Sequence, residues 1–139
     1  MTDFGVEVTA DEIVENLGFF DSWEDRYRYI IDLGKELPPL DSAFQVEAYQ
    51  VKGCQSLVWV VPEFHEGLLH FQADSNSHIV KGLLAVVLAA YNAKAPSEIL
   101  AFNIEDYFTQ LNLIKHLSPS RGNGLRAMVQ RIRDLAAQV

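Results

Sequence analysis

The chain has 139 residues, of which 49% are hydrophobic, and a formal net charge of −8. This length and apolar content predict one domain, residues 1–139, with a single core. The negative charge argues against nucleic acids and anionic membranes as partners, because binding to phosphates depends on Lys and Arg. The longest apolar run, 82–91, is too short to span a bilayer, and the N-terminus carries acidic residues where a signal peptide is positive. We therefore expect a cytoplasmic protein.

Two short helices are predicted in the first part of the chain. Thr9 begins a capping-box pattern before a helix that is expected to stop at Gly18. Ser22 is the predicted cap of a second helix, whose apolar residues recur at helical spacing, and Gly34 is its expected end. The Pro-Pro pair at 38–39 prevents any continuation, because proline lacks the N–H that a helix needs.

Three strands are predicted in the middle of the chain. The runs 45–51 and 56–61 are expected to pair across a tight turn, and a third strand alternates over 68–73 after a turn ending at Gly67. In the second run the residues on both sides of the strand are apolar, which predicts a strand covered on both faces and ended by Pro62. Together they predict a small antiparallel meander.

Helical patterns fill the remainder. Residues 78–91 are apolar nearly all round, which predicts a helix buried against the sheet. Pro96 fits the first turn of a short helix, Asn103 is the predicted cap of a helix running through Leu111, and Ser118 precedes a C-terminal helix. The predicted fold class is α+β, with a small antiparallel sheet of about three strands packed against several helices.

Cys54 is the only cysteine, so it can form neither an internal disulfide nor a cysteine cluster. It follows Gly53 in the connection between the first two predicted strands, which favours an accessible thiol at or beside a hairpin tip. Lys52 would modestly favour the thiolate. Free cysteine is also commonly buried as a small hydrophobic residue, and the residues alone leave both interpretations open. A persulfide on Cys54 would have no internal thiol to resolve it.

Ordered blocks along the chain carry a resemblance to a known family. In chain order they are Trp23-Glu24-Asp25-Arg26-Tyr27, Gly53-Cys54-Gln55-Ser56, Ala73-Asp74-Ser75, Ile79-Val80-Lys81-Gly82-Leu83, His116-Leu117-Ser118-Pro119-Ser120-Arg121 and Asn123-Gly124-Leu125. From about Phe20 onward this combination resembles the SufE family of cysteine desulfuration proteins. The related CsdE branch more often has Gly-Cys-Glu-Asn around the cysteine, so Gly-Cys-Gln-Ser favours SufE. Leu57 departs from the polar residue expected in close SufE relatives.

The resemblance implies a sulfur acceptor and carrier. Cys54 would take persulfide sulfur from a SufS-like cysteine desulfurase, stimulate that enzyme, and pass the sulfur toward iron–sulfur scaffold proteins. Pyridoxal phosphate is the desulfurase's cofactor, and the resemblance implies no cofactor for the acceptor itself. The resemblance therefore implies a persulfide carrier that acts with an enzyme rather than a stand-alone enzyme.

The same resemblance nominates residues that support the Cys54 loop or bind the partner; they are Gly53, Gln55, Ser56, Asp74, His116 and Arg121. Three of these have structural alternatives, of which the one for Arg121 is a surface charge on the C-terminal helix. Asp74 with Ser75 is also typical of a turn and N-cap before the helix 78–91. His116 is the histidine best placed to approach Cys54, although a structural hydrogen bond is the favoured interpretation.

Two other functions stay open from the sequence. One is a regulatory binding module that stimulates a partner enzyme and uses its thiol only for packing. The other is a thiol hydrolase, which would need a histidine base from among His65, His70, His78 and His116. A metal site is disfavoured, because structural zinc typically takes four ligands rich in Cys and His at short spacings.

Overall fold

The computed structural model describes residues 3–139. In this part of the chain the helices and strands are α1 (Ala10–Leu17), α2 (Trp23–Lys35), β1 (Val58–His65), β2 (Leu68–Ser75), α3 (His78–Tyr91), α4 (Pro96–Ala101), α5 (Ile104–Leu111) and α6 (Pro119–Ala137). Short 3-10 turns lie at Ser42–Phe44, Glu47–Tyr49 and Ile114–His116. The α+β class predicted from the sequence is confirmed.

Side-chain caps fix the starts of four helices where the sequence predicts them. Thr9, Ser22, Asn103 and Ser118 each accept a hydrogen bond from the backbone N–H three residues further on. Each cap satisfies a donor that has no partner inside its helix, which stabilises the helix by about 1 kcal/mol. The starts of α1, α2, α5 and α6 are therefore encoded locally.

Helix α3 is the centre of the core, and nearly all of its residues are buried. Helix α2 crosses it so closely that a Cβ on Gly82 would collide with the Ile30 carbonyl oxygen. Gly34 lies inside α2 at the same crossing, so the prediction that it ends the helix is wrong by one residue and its role is close packing. Helix α3 is apolar because it is enclosed. Among residues 3–139, no helix is both long and apolar enough to cross a membrane.

Among residues 3–139 the sheet has two strands rather than about three. Strands β1 and β2 pair antiparallel along their length, and Glu66 and Gly67 between them have the positive φ of a two-residue hairpin turn. The segment 45–51, predicted as a strand, makes a single bridge, from Gln50 to Trp59, and its residues Glu47–Tyr49 form a 3-10 turn. This segment lies against β1 without extending the sheet.

Side chains cover the outer face of β1 where a third strand was expected. Trp59 and Val61 pack with Leu40, Phe44 and Tyr49 in a small second cluster. The alternate residues of β1 face the main core. Burial on both faces is therefore confirmed, although 3-10 segments provide the cover on one of them.

Pro62 does not end β1 as predicted, because it lies inside the strand opposite Phe71. Proline is tolerated at the edge of a sheet, and in the described part of the chain β1 has only β2 as a strand neighbour. The next strand matches its pattern, with Leu69, Phe71 and Ala73 buried on one face of β2. The hairpin is consequently longer than the sequence indicates.

Candidate functional site

Cys54 is carried by a closed loop, residues 52–57, which we call the Cys54 loop. The Val51 N–H donates to the Val58 carbonyl oxygen at 2.8 Å and closes its base. Gly53 has a φ of +93°, a conformation that favours glycine, and a Cβ there would lie 3.4 Å from the Ala127 Cβ. The loop therefore turns tightly and rests against α6.

Asn76, in the turn between β2 and α3, holds the far end of the loop. Its Oδ1 accepts the Leu57 N–H at 3.1 Å, and its own N–H donates to the Leu57 carbonyl oxygen at 3.3 Å. The sequence analysis did not single out this residue. The available signal was the run of turn-forming residues 74–77 between a strand and a helix.

The thiol of Cys54 is half-buried against α6, with its Sγ 3.6 Å from the carbonyl oxygen of Gly124. A cavity of about 100 Å³ adjoins it, lined by Cys54, Gln55, Ser56, Val80, Leu83, Ser120, Arg121, Gly124 and Met128. Its lining combines apolar residues of α3 and α6 with polar residues and one arginine. The fold thus gives the sulfur a small chamber rather than an open surface.

Burial raises the pKa of the Cys54 thiol, because removal from water disfavours the charged thiolate. Lys52, expected to favour the thiolate, instead pairs with Glu47, 3.4 Å between Nζ and Oε1. In this state the thiol is protonated at neutral pH and is a weak nucleophile. Activation requires a change in its surroundings.

The structure brings together some of the residues that the sequence nominated. Gln55, Ser56 and Arg121 line the cavity beside Cys54, and Gly53 shapes the loop. Arg121 is exposed, and its backbone N–H donates to the Ser118 cap. Arg121 thus puts a positively charged residue in the lining of the chamber, within a chain of net negative charge.

Asp74 lies away from this cavity and is buried. Its carboxylate accepts the Leu40 N–H at 3.3 Å and the Ser75 N–H at 2.8 Å, and it pairs with Lys81 at 3.4 Å. It does not cap α3, since the N-cap residue there is Ser77, which makes no side-chain capping bond. The observed contacts of Asp74 join the segment before the first 3-10 turn to the end of β2.

His116 also lies apart from the cavity. Its ring stacks on Trp23, with centroids 4.4 Å apart and planes 13° from parallel. The residues that line the chamber beside Cys54, all in the described part of the chain, include no histidine. The site therefore offers no histidine base of the kind that a thiol hydrolase uses. Among residues 3–139, no group of three His, Cys, Asp or Glu side chains is placed to hold a metal ion.

Fold and site together define a class: small α+β proteins that hold one free thiol in a closed loop beside a mainly apolar chamber. Comparison with known proteins gives the family. The model of the SufE domain, described as Fe-S metabolism associated, matches residues 11–136. The chain belongs to the SufE family, as its sequence blocks indicate, and this ties it to iron–sulfur metabolism.

Similar proteins support this assignment. An uncharacterised SufE-like protein of Rhizobium meliloti is 44% identical over 132 residues, covering 92% of this chain and 94% of its own. Another, of Rhizobium etli, is 46% identical over 134 residues, covering 92% and 89%. The solution structure of a hypothetical protein from Thermus thermophilus matches with a TM-score of 0.75 over 93% of each chain, at 17% identity. That last likeness shows the fold alone.

Proposed function

We propose that this protein accepts sulfane sulfur from a cysteine desulfurase on Cys54 and delivers it to iron–sulfur cluster assembly. One observation carries the proposal: the chain's only cysteine lies beside a chamber of about 100 Å³, which has room for more than the thiol itself. Membership of a family associated with Fe-S metabolism supports a role for that thiol in handling sulfur for iron–sulfur clusters.

The transfer is an exchange at sulfur and needs no net oxidant. The Cys54 thiolate attacks the outer sulfur of the desulfurase persulfide, R–S–SH. A new S–S bond forms to Cys54 as the old one breaks, which gives Cys54–S–SH and the desulfurase thiolate R–S⁻. The described chain has no second thiol to displace that sulfur, so the product waits for another protein.

The Cys54 loop has to open for this exchange, because two proteins can bring their sulfur atoms into bonding contact only if one of them projects. The Val51–Val58 hydrogen bond fixes the base of the loop while Gly53 provides a flexible backbone position. Opening also returns the thiol to water, which removes the cause of its raised pKa. One movement thus exposes and activates the nucleophile.

Arg121 is suited to assist the same step. It is one of the residues that line the chamber, and a cation brought close to the sulfur stabilises both the attacking thiolate and a persulfide anion. It is also exposed, so an acidic or polar surface of the desulfurase can reach it. We assign it a positioning role at Cys54 during docking.

Intact-mass spectrometry tests the proposal. The protein is incubated with a cysteine desulfurase and cysteine, and we expect its mass to rise by one sulfur atom that a reductant removes. Cys54→Ser is the matched control and should gain nothing. If the mass stays constant while the desulfurase turns over with a small thiol acceptor, the carrier function is wrong.

The same variant separates the carrier from a regulatory binding module. A regulator that uses the thiol only for packing should still stimulate the desulfurase as Cys54→Ser, since serine is close in size. A carrier should lose stimulation with that variant while still binding the enzyme in a pull-down.

A further inference from the structure

We propose that Gly124 makes the room in which the outer sulfur of a Cys54 persulfide is held, so that the chamber is shaped for the loaded form. The inference rests on the proposed function and adds a positioning residue to it. Gly124 lies inside α6, where glycine weakens a helix relative to alanine. The contact with Cys54 gives a reason for it to stand there.

Helix α6 comes close to the thiol at this residue. A Cβ on Gly124 would lie 3.5 Å from the Cys54 Sγ and 3.9 Å from its Cβ. Both are ordinary van der Waals distances, so the unloaded thiol tolerates an alanine at this position. The reduced protein alone therefore does not require the glycine.

A persulfide changes this comparison. Its outer sulfur stands about 2.05 Å from Sγ, as in any S–S bond. If that sulfur lay within about 70° of the direction to an alanine Cβ at 124, the two would approach closer than ~3.5 Å contact. With glycine at 124, the outer sulfur can take these directions, on the side of Sγ where Gly124 lines the chamber.

The other residues that line the chamber shield the outer sulfur. Val80, Leu83 and Met128 border the chamber and give the outer sulfur apolar neighbours, beside the polar residues Gln55, Ser56, Ser120 and Arg121. Nucleophiles and oxidants attack sulfur according to its access, so a persulfide seated there is protected. With alanine at 124 the outer sulfur is displaced from this part of the chamber toward solvent.

Gly122 provides a matched control on the same helix. It is buried, as Gly124 is, but a Cβ there would meet nothing within 4 Å. Gly122→Ala and Gly124→Ala should therefore gain similar helix stability. Only the second changes the space beside Cys54.

The test loads the sulfur chemically and needs no desulfurase. Sodium polysulfide transfers one sulfur, RS⁻ + Sₙ²⁻ giving RSS⁻ + Sₙ₋₁²⁻, and intact mass gives the loaded fraction. Cyanide then removes the outer sulfur, RSS⁻ + CN⁻ giving RS⁻ + SCN⁻, and thiocyanate release gives the rate. Thermal melts followed by circular dichroism report the fold of the wild type, Gly122→Ala and Gly124→Ala.

We expect Gly124→Ala alone to load less or to lose sulfur about tenfold faster, the size typical of overpacking a well-packed site. Loading and loss equal to the wild type would overturn the inference, and so would the same change in Gly122→Ala. A Gly124→Ala protein that fails to fold would also overturn it, because the reduced thiol is argued to accept that methyl group. Failure of the wild type to take sulfur from a desulfurase, with these chemical results unchanged, would count against the proposed function instead.

Discussion

Removing the Asn76 side chain should loosen the Cys54 loop by a calculable amount. Asn76→Ala deletes the Oδ1 acceptor of the Leu57 N–H and leaves the second bond between the two residues intact. Both residues are exposed, so water replaces the lost partner, and the net cost is about 0.5–1.5 kcal/mol. If the loop opens by breaking this bond, the open population rises about twofold to tenfold.

The rate of Cys54 alkylation by iodoacetamide measures that population, since a sheltered thiol reacts mainly through the open loop. Asn76→Asp keeps a side-chain oxygen acceptor and should react at nearly the wild-type rate. Urea unfolding of all three proteins checks that the whole fold is not opening. Equal alkylation rates for Asn76→Ala and the wild type would refute the reasoning, and so would an equal acceleration in Asn76→Asp.

Further outcomes follow from the contacts described. Burial raises the pKa of Cys54, so its alkylation should reach a plateau at higher pH in the native than in the urea-unfolded protein. The fold then favours the protonated thiol, and stability relative to Cys54→Ser should fall as pH rises above the ordinary thiol range; coincident profiles would contradict this. Arg121→Ala should weaken desulfurase stimulation and leave the melting temperature unchanged, whereas Asp74→Ala should cost about 1–3 kcal/mol in urea unfolding, because the buried Leu40 N–H loses its acceptor. If Arg121→Ala lowered the stability and Asp74→Ala weakened only the stimulation, Arg121 would be the structural residue and Asp74 the one that acts with the partner. Gly82→Ala should destabilise by about 1–3 kcal/mol or more through its collision with α2, and a neutral effect in urea unfolding would show that the helices separate freely.

Helix positions were predictable because their signals are local. A cap such as Asn103 lies three residues from the N–H that it satisfies, and a sequence window contains both. The segment 45–51 shows the opposite case. Its alternation resembles a strand. However, Tyr49 packs against the cluster that contains Trp59, on the outer face of β1, and a local sequence pattern cannot predict this contact.

The residues of the site also differ in whether a local sequence pattern could identify them. Cys54 and its neighbours Gln55 and Ser56 are continuous in sequence, so a single block identified them. Arg121 was nominated by resemblance, and the fold places it on the same chamber. Asn76 was missed because its partner, Leu57, is 19 residues away in the chain.

The chamber wall at Gly124 is 70 residues from Cys54 in sequence. Contacts of such separation form late, after the chain has met the entropy of closing a long loop. Until α6 docks, the thiol lacks the part of its enclosure that α6 provides, and it is more accessible to oxidants. The enclosure of Cys54 is therefore complete only when the tertiary structure is complete.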